Sequence, residues 1–182
     1  MEHNFVGEAL FQLKKLKKMA EDAFAQVSEE QFFTLIDPEA NSLALIAKHI
    51  SGNMRSRWRD FLTTDGEKPD RNRDSEFERE ADDTRETILK RWEEGWSLTF
   101  SAIGPLTPKD LDRTVPIRGE PHTVLQAITR QMTHYAGHVG QIVFLAKHLA
   151  YPNWRSLSIP RGKSKEFDVA RDGSHYRLNP KS

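Results

Sequence analysis

Cysteine is absent from the 182-residue chain, which excludes disulfides, cysteine-ligated zinc and a catalytic thiol of its own. A surplus of either charge is absent as well: Lys+Arg and Asp+Glu are each 27. There is therefore no global electrostatic reason to expect nucleic acid or an anionic membrane as partner. No apolar run approaches the ~20 residues that span a bilayer. A mean hydropathy of -0.69 with 30% charged residues suits a soluble protein. The start, Met1-Glu2-His3-Asn4, lacks the basic and then apolar layout of a signal peptide. A cytoplasmic protein is the expectation, and the length predicts one domain over residues 1–182 with a core of its own.

What is present is helical periodicity. Apolar residues at Val6, Ala9, Leu10, Leu13, Leu16, Ala20, Ala23, Phe24 and Val27 form a 3.6-residue stripe, predicting a helix from about Phe5 to Val27. Lys14, Lys15, Lys17 and Lys18 lie opposite and read as a solvated face, since the rest of the chain adds no basic surface to extend them. Ser28 to Ala40 reads as a connection. A second helix is expected from about Leu43 to Leu62, capped by Asn41 or Ser42, with Leu43, Ile46, Ala47, Ile50, Met54, Trp58 and Phe61 buried. Gly66 to Ser75 is a polar loop of mixed charge, expected to be exposed and mobile. A third helix, from about Thr84 to Ile103 with Asp82 or Asp83 as cap, presents Ile88, Leu89, Trp92, Trp96, Phe100 and Ile103 and stops at Gly104-Pro105. The link from Thr107 to Pro121 allows at most a short extended piece around Val115 to Arg118. The fourth helix runs from about His122 to Ala150. No internal repeat is visible, and nothing argues for a substantial sheet. The expectation is an all-α fold: a four-helix bundle with long connections and an irregular C-terminal tail.

The fourth helix carries His134 and His138. Four residues apart, both imidazoles fall on one face, roughly 6 Å apart along the axis, which is how one helix offers two nitrogens to a metal ion. They flank the core line of Val124, Ile128, Met132, Tyr135, Val139, Ile142 and Ala146, and so point inward or into a groove. Ala136, Gly137 and Gly140 shave one surface of this helix, which permits close approach of a neighbouring helix or of another subunit. Two ligands do not make a tight site. His3 and His175 lie towards the termini; His122 lies ~18 Å before His134, and His148 ~15 Å beyond His138, on the same axis. That leaves His49, at the edge of the second helix's buried stripe, which needs only that the two helices be neighbours. From pattern alone, a three-histidine metal site and three hydrogen-bonded, half-buried histidines both remain open.

Ser42-Leu43-Ala44-Leu45-Ile46-Ala47-Lys48-His49-Ile50-Ser51-Gly52-Asn53-Met54 and His134-Tyr135-Ala136-Gly137-His138-Val139-Gly140-Gln141-Ile142 resemble the DinB/YfiT-like superfamily of small four-helix bundles, described as metal-dependent enzymes. Its pattern is one histidine on the second helix and a His-x-x-x-His pair on the last long one. The closing Leu157-Ser158-Ile159-Pro160-Arg161-Gly162-Lys163-Ser164 resembles an uncharacterised subfamily of that group. The resemblance covers nearly the whole chain and implies His49, His134 and His138 as ligands of a divalent metal ion. Three neutral imidazoles leave at least one position open, and all-nitrogen ligation suits zinc or nickel. Superfamily members with known activity use a low-molecular-weight thiol, so the resemblance implies thiol-dependent S-transfer on a small molecule, with metal-assisted hydrolysis as another candidate.

Helical spacing adds pocket candidates. Arg130 precedes His134 by one turn, Gln141 follows His138 by three residues, and Asn53 follows His49 by one turn; Arg161 and Lys163 sit in a glycine-containing loop where they can meet an anion. Each is equally readable as ordinary surface or edge polarity. No carboxylate has a spacing that marks it as a general base. A different class of function is a non-catalytic metal-binding helical module acting through dimerisation along the glycine face. DNA binding is disfavoured by zero net charge and the lack of a basic recognition helix.

Overall fold

The computed structural model describes residues 5–178; His3 lies outside them. Among these residues the chain is predominantly α-helical, with two small hairpins. The elements in order are α1 (Phe5–Phe24), α2 (Glu29–Phe33), α3 (Leu43–Trp58), α4 (Arg85–Ile103), β1 (Thr114–Ile117), β2 (Glu120–Thr123), α5 (Val124–Leu149), β3 (Phe167–Val169) and β4 (His175–Arg177). The four long helices touch in a closed cycle: α1 packs on α5, α5 on α3, α3 on α4 and α4 on α1. No helix among the described residues is long and apolar enough to cross a membrane.

Each long helix forms where its apolar stripe dictates, and α3, α4 and α5 each start where a hydroxyl caps them. Ser42 Oγ accepts from Leu45 N to open α3, and reciprocal boxes of Thr84 with Thr87 and of Thr123 with Gln126 open α4 and α5. Asp83, one of the expected caps of α4, is instead consumed in a buried ion pair with Lys48, 2.7 Å away. The short α2 falls inside the expected connection: Ser28 and Gln31 cap it reciprocally, and its Phe32 meets Phe24 edge-on at 5.4 Å. α3 ends four residues early, because Arg59 turns extended and Asp60 adopts a left-handed φ of 49°. Phe61 still packs on Trp58. The lysines of α1 are partly drawn into ion pairs, Lys17 with Glu21 and with Glu93 of α4, Lys18 with Asp22.

α3 is the centre of the molecule. All its residues except Gly52 and Arg55 are buried, polar ones included. It is covered on one flank by α4, where Gly95 lets the Met54 side chain approach, and on another by α5. The third cover is the loop from 59 to 84; in the stretch expected to be exposed, Pro69, Asp70, Asn72, Arg73 and Asp74 are exposed, while Gly66 and Lys68 are buried. Lys68 and Glu76 are buried, and the Arg71 guanidinium bridges Glu67 and Glu76. Those of its charges that leave water are paired with one another or with α3: Arg71 with Glu76, and Asp83 with Lys48, which also bonds Glu80 and the Glu78 carbonyl.

β1 and β2 pair antiparallel through a two-residue turn at Arg118 and Gly119, both with positive φ, and the Asp65 carboxylate accepts from both turn amides. The expected short extended piece is thus half of a hairpin. The tail, expected to be irregular, contains β3 paired with β4 and is fastened to α1 by Arg171, which bonds Glu8 and lies over Phe11. His122, His148 and His175 lie on β2, near the end of α5 and on β4.

A polar knot fixes α3 against α5. Trp58 Nε1 donates to Tyr135 OH, and both Tyr135 OH and Gln131 Nε2 donate to Asn53 Oδ1. Burial pushes the Tyr135 phenol up to about 12, so it stays a neutral donor. Tyr135→Phe leaves the Trp58 N–H unpartnered, and urea unfolding is expected to show a loss of roughly 1–3 kcal/mol. An unchanged midpoint would mean that the knot holds nothing.

Candidate metal centre

α3 and α5 run antiparallel, since His49 meets His134 and His138 while Asn53, one turn on, meets Gln131 and Tyr135. This brings three imidazoles together. His134 Nε2 lies 3.4 Å from His49 Nε2 and 3.1 Å from His138 Nε2, and ligand atoms of all three residues fall within 4.8 Å of one another.

Outer hydrogen bonds decide which nitrogen faces inward. His49 Nδ1 lies 2.8 Å from Glu76 Oε2, and His138 Nδ1 lies 2.8 Å from Gln141 Oε1. Both oxygens accept, so both Nδ1 atoms carry the proton and both Nε2 lone pairs point at the common centre. His134 aims its Nε2 at the same point, while its Nδ1 is buried with no partner among the described residues. One N–H cannot satisfy two opposing lone pairs, and an imidazolium is disfavoured: burial first, then the neighbouring His138 and His49, push His134 down to about 4. His138 is lowered too, chiefly by burial, against the pull of Gln141. Three converging imidazole nitrogens suit a cation. Two nitrogens bound tetrahedrally at 2.0–2.1 Å stand about 3.3 Å apart, which matches the spacing here. The donor set fits a divalent ion.

The 3-10 turn Asp74–Phe77 supplies the support around His49: Glu76 holds its Nδ1 and the Phe77 ring packs on it at 4.6 Å. Burial alone would raise Glu76, but hydrogen bonds from His49 and Arg71 and the Arg71 charge outweigh it and hold the carboxyl below its usual range. Glu76 reaches this position because Gly52 leaves the α3 surface bare; a Cβ there would lie 2.3 Å from Glu76 Oε1. A second group of potential ligands, Glu80, Asp82 and Asp83, is already partnered by Lys48 and Arg91.

A cavity of about 750 Å³ opens over the histidines, and Asn53 and Arg130 line it. Asn53 faces the knot with Gln131 and Tyr135 and bonds none of the histidines. Gln141 is exposed and orients His138. Arg161 is exposed in the tail and is not among the cavity's lining residues. Gly137 and Gly140 face open space, so the close helix approach expected there does not occur among the described residues. Sequence reasoning missed Glu76, Arg71 and Arg57. The first two belong to a loop with no period to read; Arg57 had a signal, the four-residue interval His49-Asn53-Arg57 on one helix face.

Removing Glu76 is expected to weaken zinc binding by roughly 10–100-fold. Chelator competition on Glu76→Ala and Gly52→Ala tests this, and an affinity equal to wild type in both would contradict the supporting role. In metal-free chain, His134 is neutral in both folded and unfolded states well above pH 6.5 and adds nothing to pH dependence there. As pH falls from 6.5 to about 4 the unfolded chain gains a proton that the folded chain refuses, so stability declines through that window. Carboxylates such as Glu76 add their loss only below about 4.5. Urea titrations with chelator present should show the decline, and His134→Leu should make it shallower, with His138 contributing the remainder; the same slope in both proteins would count against a buried neutral His134.

No curated protein matches the chain. Residues 1–163 match the family described as "Protein of unknown function (DUF1572)". With the match spanning all five helices and the three histidines, this chain belongs to that family.

Proposed function

We propose that the chain is a metal-dependent enzyme built as a four-helix bundle of the DinB/YfiT-like kind, with His49, His134 and His138 as the ligands of a zinc or nickel ion. The observation that carries this reading is the convergence of three Nε2 atoms, two of them with their lone pairs set by outer hydrogen bonds, beneath a cavity that admits a small molecule. A divalent ion there supplies a Lewis acid that makes a nucleophile of a water or a thiol near neutral pH. The chain's own residues do the rest: Glu76 and Gln141 fix two rings, and Asn53 and Arg130 line the space a substrate enters. The chain lacks cysteine, so a low-molecular-weight thiol cosubstrate would supply sulfur for S-transfer, with hydrolysis of a small molecule as the variant that uses water. A cytoplasmic setting agrees with such a cosubstrate.

A second reading, a non-catalytic metal-binding module acting as a homodimer, draws on α5. Beside the open Gly137 and Gly140, Phe144 is 73% exposed. The two readings separate experimentally. Untagged wild type is expected to carry about one equivalent of divalent metal, lost in His49→Ala, His134→Ala and His138→Ala; retention in all three would remove the triad. Conjugation of small thiols to electrophiles should then require added metal. Metal binding without any turnover, together with a dimer that Phe144→Lys dissociates, would favour the second reading.

A further inference from the structure

Burying a guanidinium without a partner is costly, and α3 does so once. Arg57 is 2% exposed, and its Nε and Nη1 have no hydrogen-bond partner among the described residues. The other buried polar side chains of the helix body are satisfied: Lys48 by Asp83, His49 by Glu76, Ser51 by the Ala47 carbonyl, Asn53 by Gln131 and Ser56 by the Gly66 carbonyl. Arg57 also lines the cavity that holds the histidines, together with the exposed Arg130. It is seated against Gly66, where a Cβ would lie 2.2 Å from Nη1.

The rest of the cavity has the same sign. Arg57, Arg71, Arg73, Arg118 and Arg130 line it, and among the described residues no carboxylate does. Arg71 is neutralised by Glu67 and Glu76, and Arg118 by Glu67; neither glutamate makes an ion pair with Arg57 or Arg130. Arg73 lies over the Phe77 ring. Arg57 stands two turns after His49 on α3 and Arg130 one turn before His134 on α5, so in this antiparallel pair both arginines lie on the same side of the triad. In a chain of zero net charge, this space carries a local excess of cations.

We propose that the Arg57–Arg130 end of the cavity binds an oxyanion, a carboxylate or phosphate group on a small molecule whose other end reaches the three histidines. A planar guanidinium matches either oxyanion through paired N–H donors. Two helical turns rise about 11 Å, so the ligand is extended, with several bonds between its charge and its reacting atom. What happens at the histidine end rests on the metal-dependent reading above; binding of the anion does not.

Calorimetric titration of inorganic phosphate and of succinate into metal-free and metal-loaded chain tests this. At least one anion should bind, and the tighter of the two names the group. Arg130→Gln should weaken binding about ten-fold or more, while Arg113→Gln, remote from the cavity, should not. Arg57→Met should abolish binding and yet raise the melting temperature in anion-free buffer by a few degrees, because an unpaired buried charge is gone. No binding of either anion, binding that survives both cavity variants, or a lower melting temperature for Arg57→Met would each overturn the proposal. Anion binding in a chain whose histidines hold no metal sinks the metal reading alone; metal binding without anion binding sinks this one alone.

Discussion

The burial of α3 is the constraint on which the rest of this structure depends. A helix covered on all sides is normally apolar all round, but this one carries Lys48, His49, Asn53 and Arg57 into the interior. Each must find a partner or bear a desolvation cost of several kcal/mol. The polar loop from 59 to 84, the caps of α4 and the inner face of α5 can be understood as answers to that demand. Lys48 recruits Asp83 and Glu80, His49 recruits Glu76, and Asn53 recruits Gln131 and Tyr135. The same partnerships that make the helix tolerable inside also lock it in register with α5. That register places His49 opposite His134 and His138.

Much of the helical framework was legible in the sequence because periodicity reports which face leaves water. The starts of α1, α3, α4 and α5 fell within two residues of expectation, at Phe5, Leu43, Arg85 and Val124. α2 was not, since five residues cannot display a 3.6 period. The end of α3 was missed because Phe61 stays in the apolar pattern after the backbone has turned at Asp60. In the site, His134 and His138 were legible from their spacing; His49 was the candidate left once the other histidines were set aside, and the resemblance implied it as a ligand. Glu76 was not legible, because a loop residue 27 positions after His49 reaches it through a fold and not through a repeat. The loop was read in part: Asp70, Arg73 and Asp74 are exposed as its charge density suggests, whereas Arg71 and Glu76 turn inward as a pair.

Charge is distributed unevenly in a molecule whose total is zero. Acidic side chains gather behind α3, where they neutralise Lys48 and Arg71, and are missing from the cavity in front of the histidines. Neutral imidazoles and unpaired guanidiniums therefore share one space. Burial keeps His134 unprotonated, and Glu76 and Gln141 keep two of the lone pairs turned inward, so the histidines are prepared for a cation. We propose that the arginines at the far end take an anion and that one small molecule bridges the two.

X-ray absorption at the metal edge, on untagged protein loaded with zinc or nickel, tests the triad most directly. Three imidazole nitrogens at about 2.0–2.1 Å with at least one light oxygen ligand are expected, falling to two imidazoles in His49→Ala. A shell made of oxygens alone, or one unchanged by loss of His49, would contradict a metal centre built where α3 meets α5.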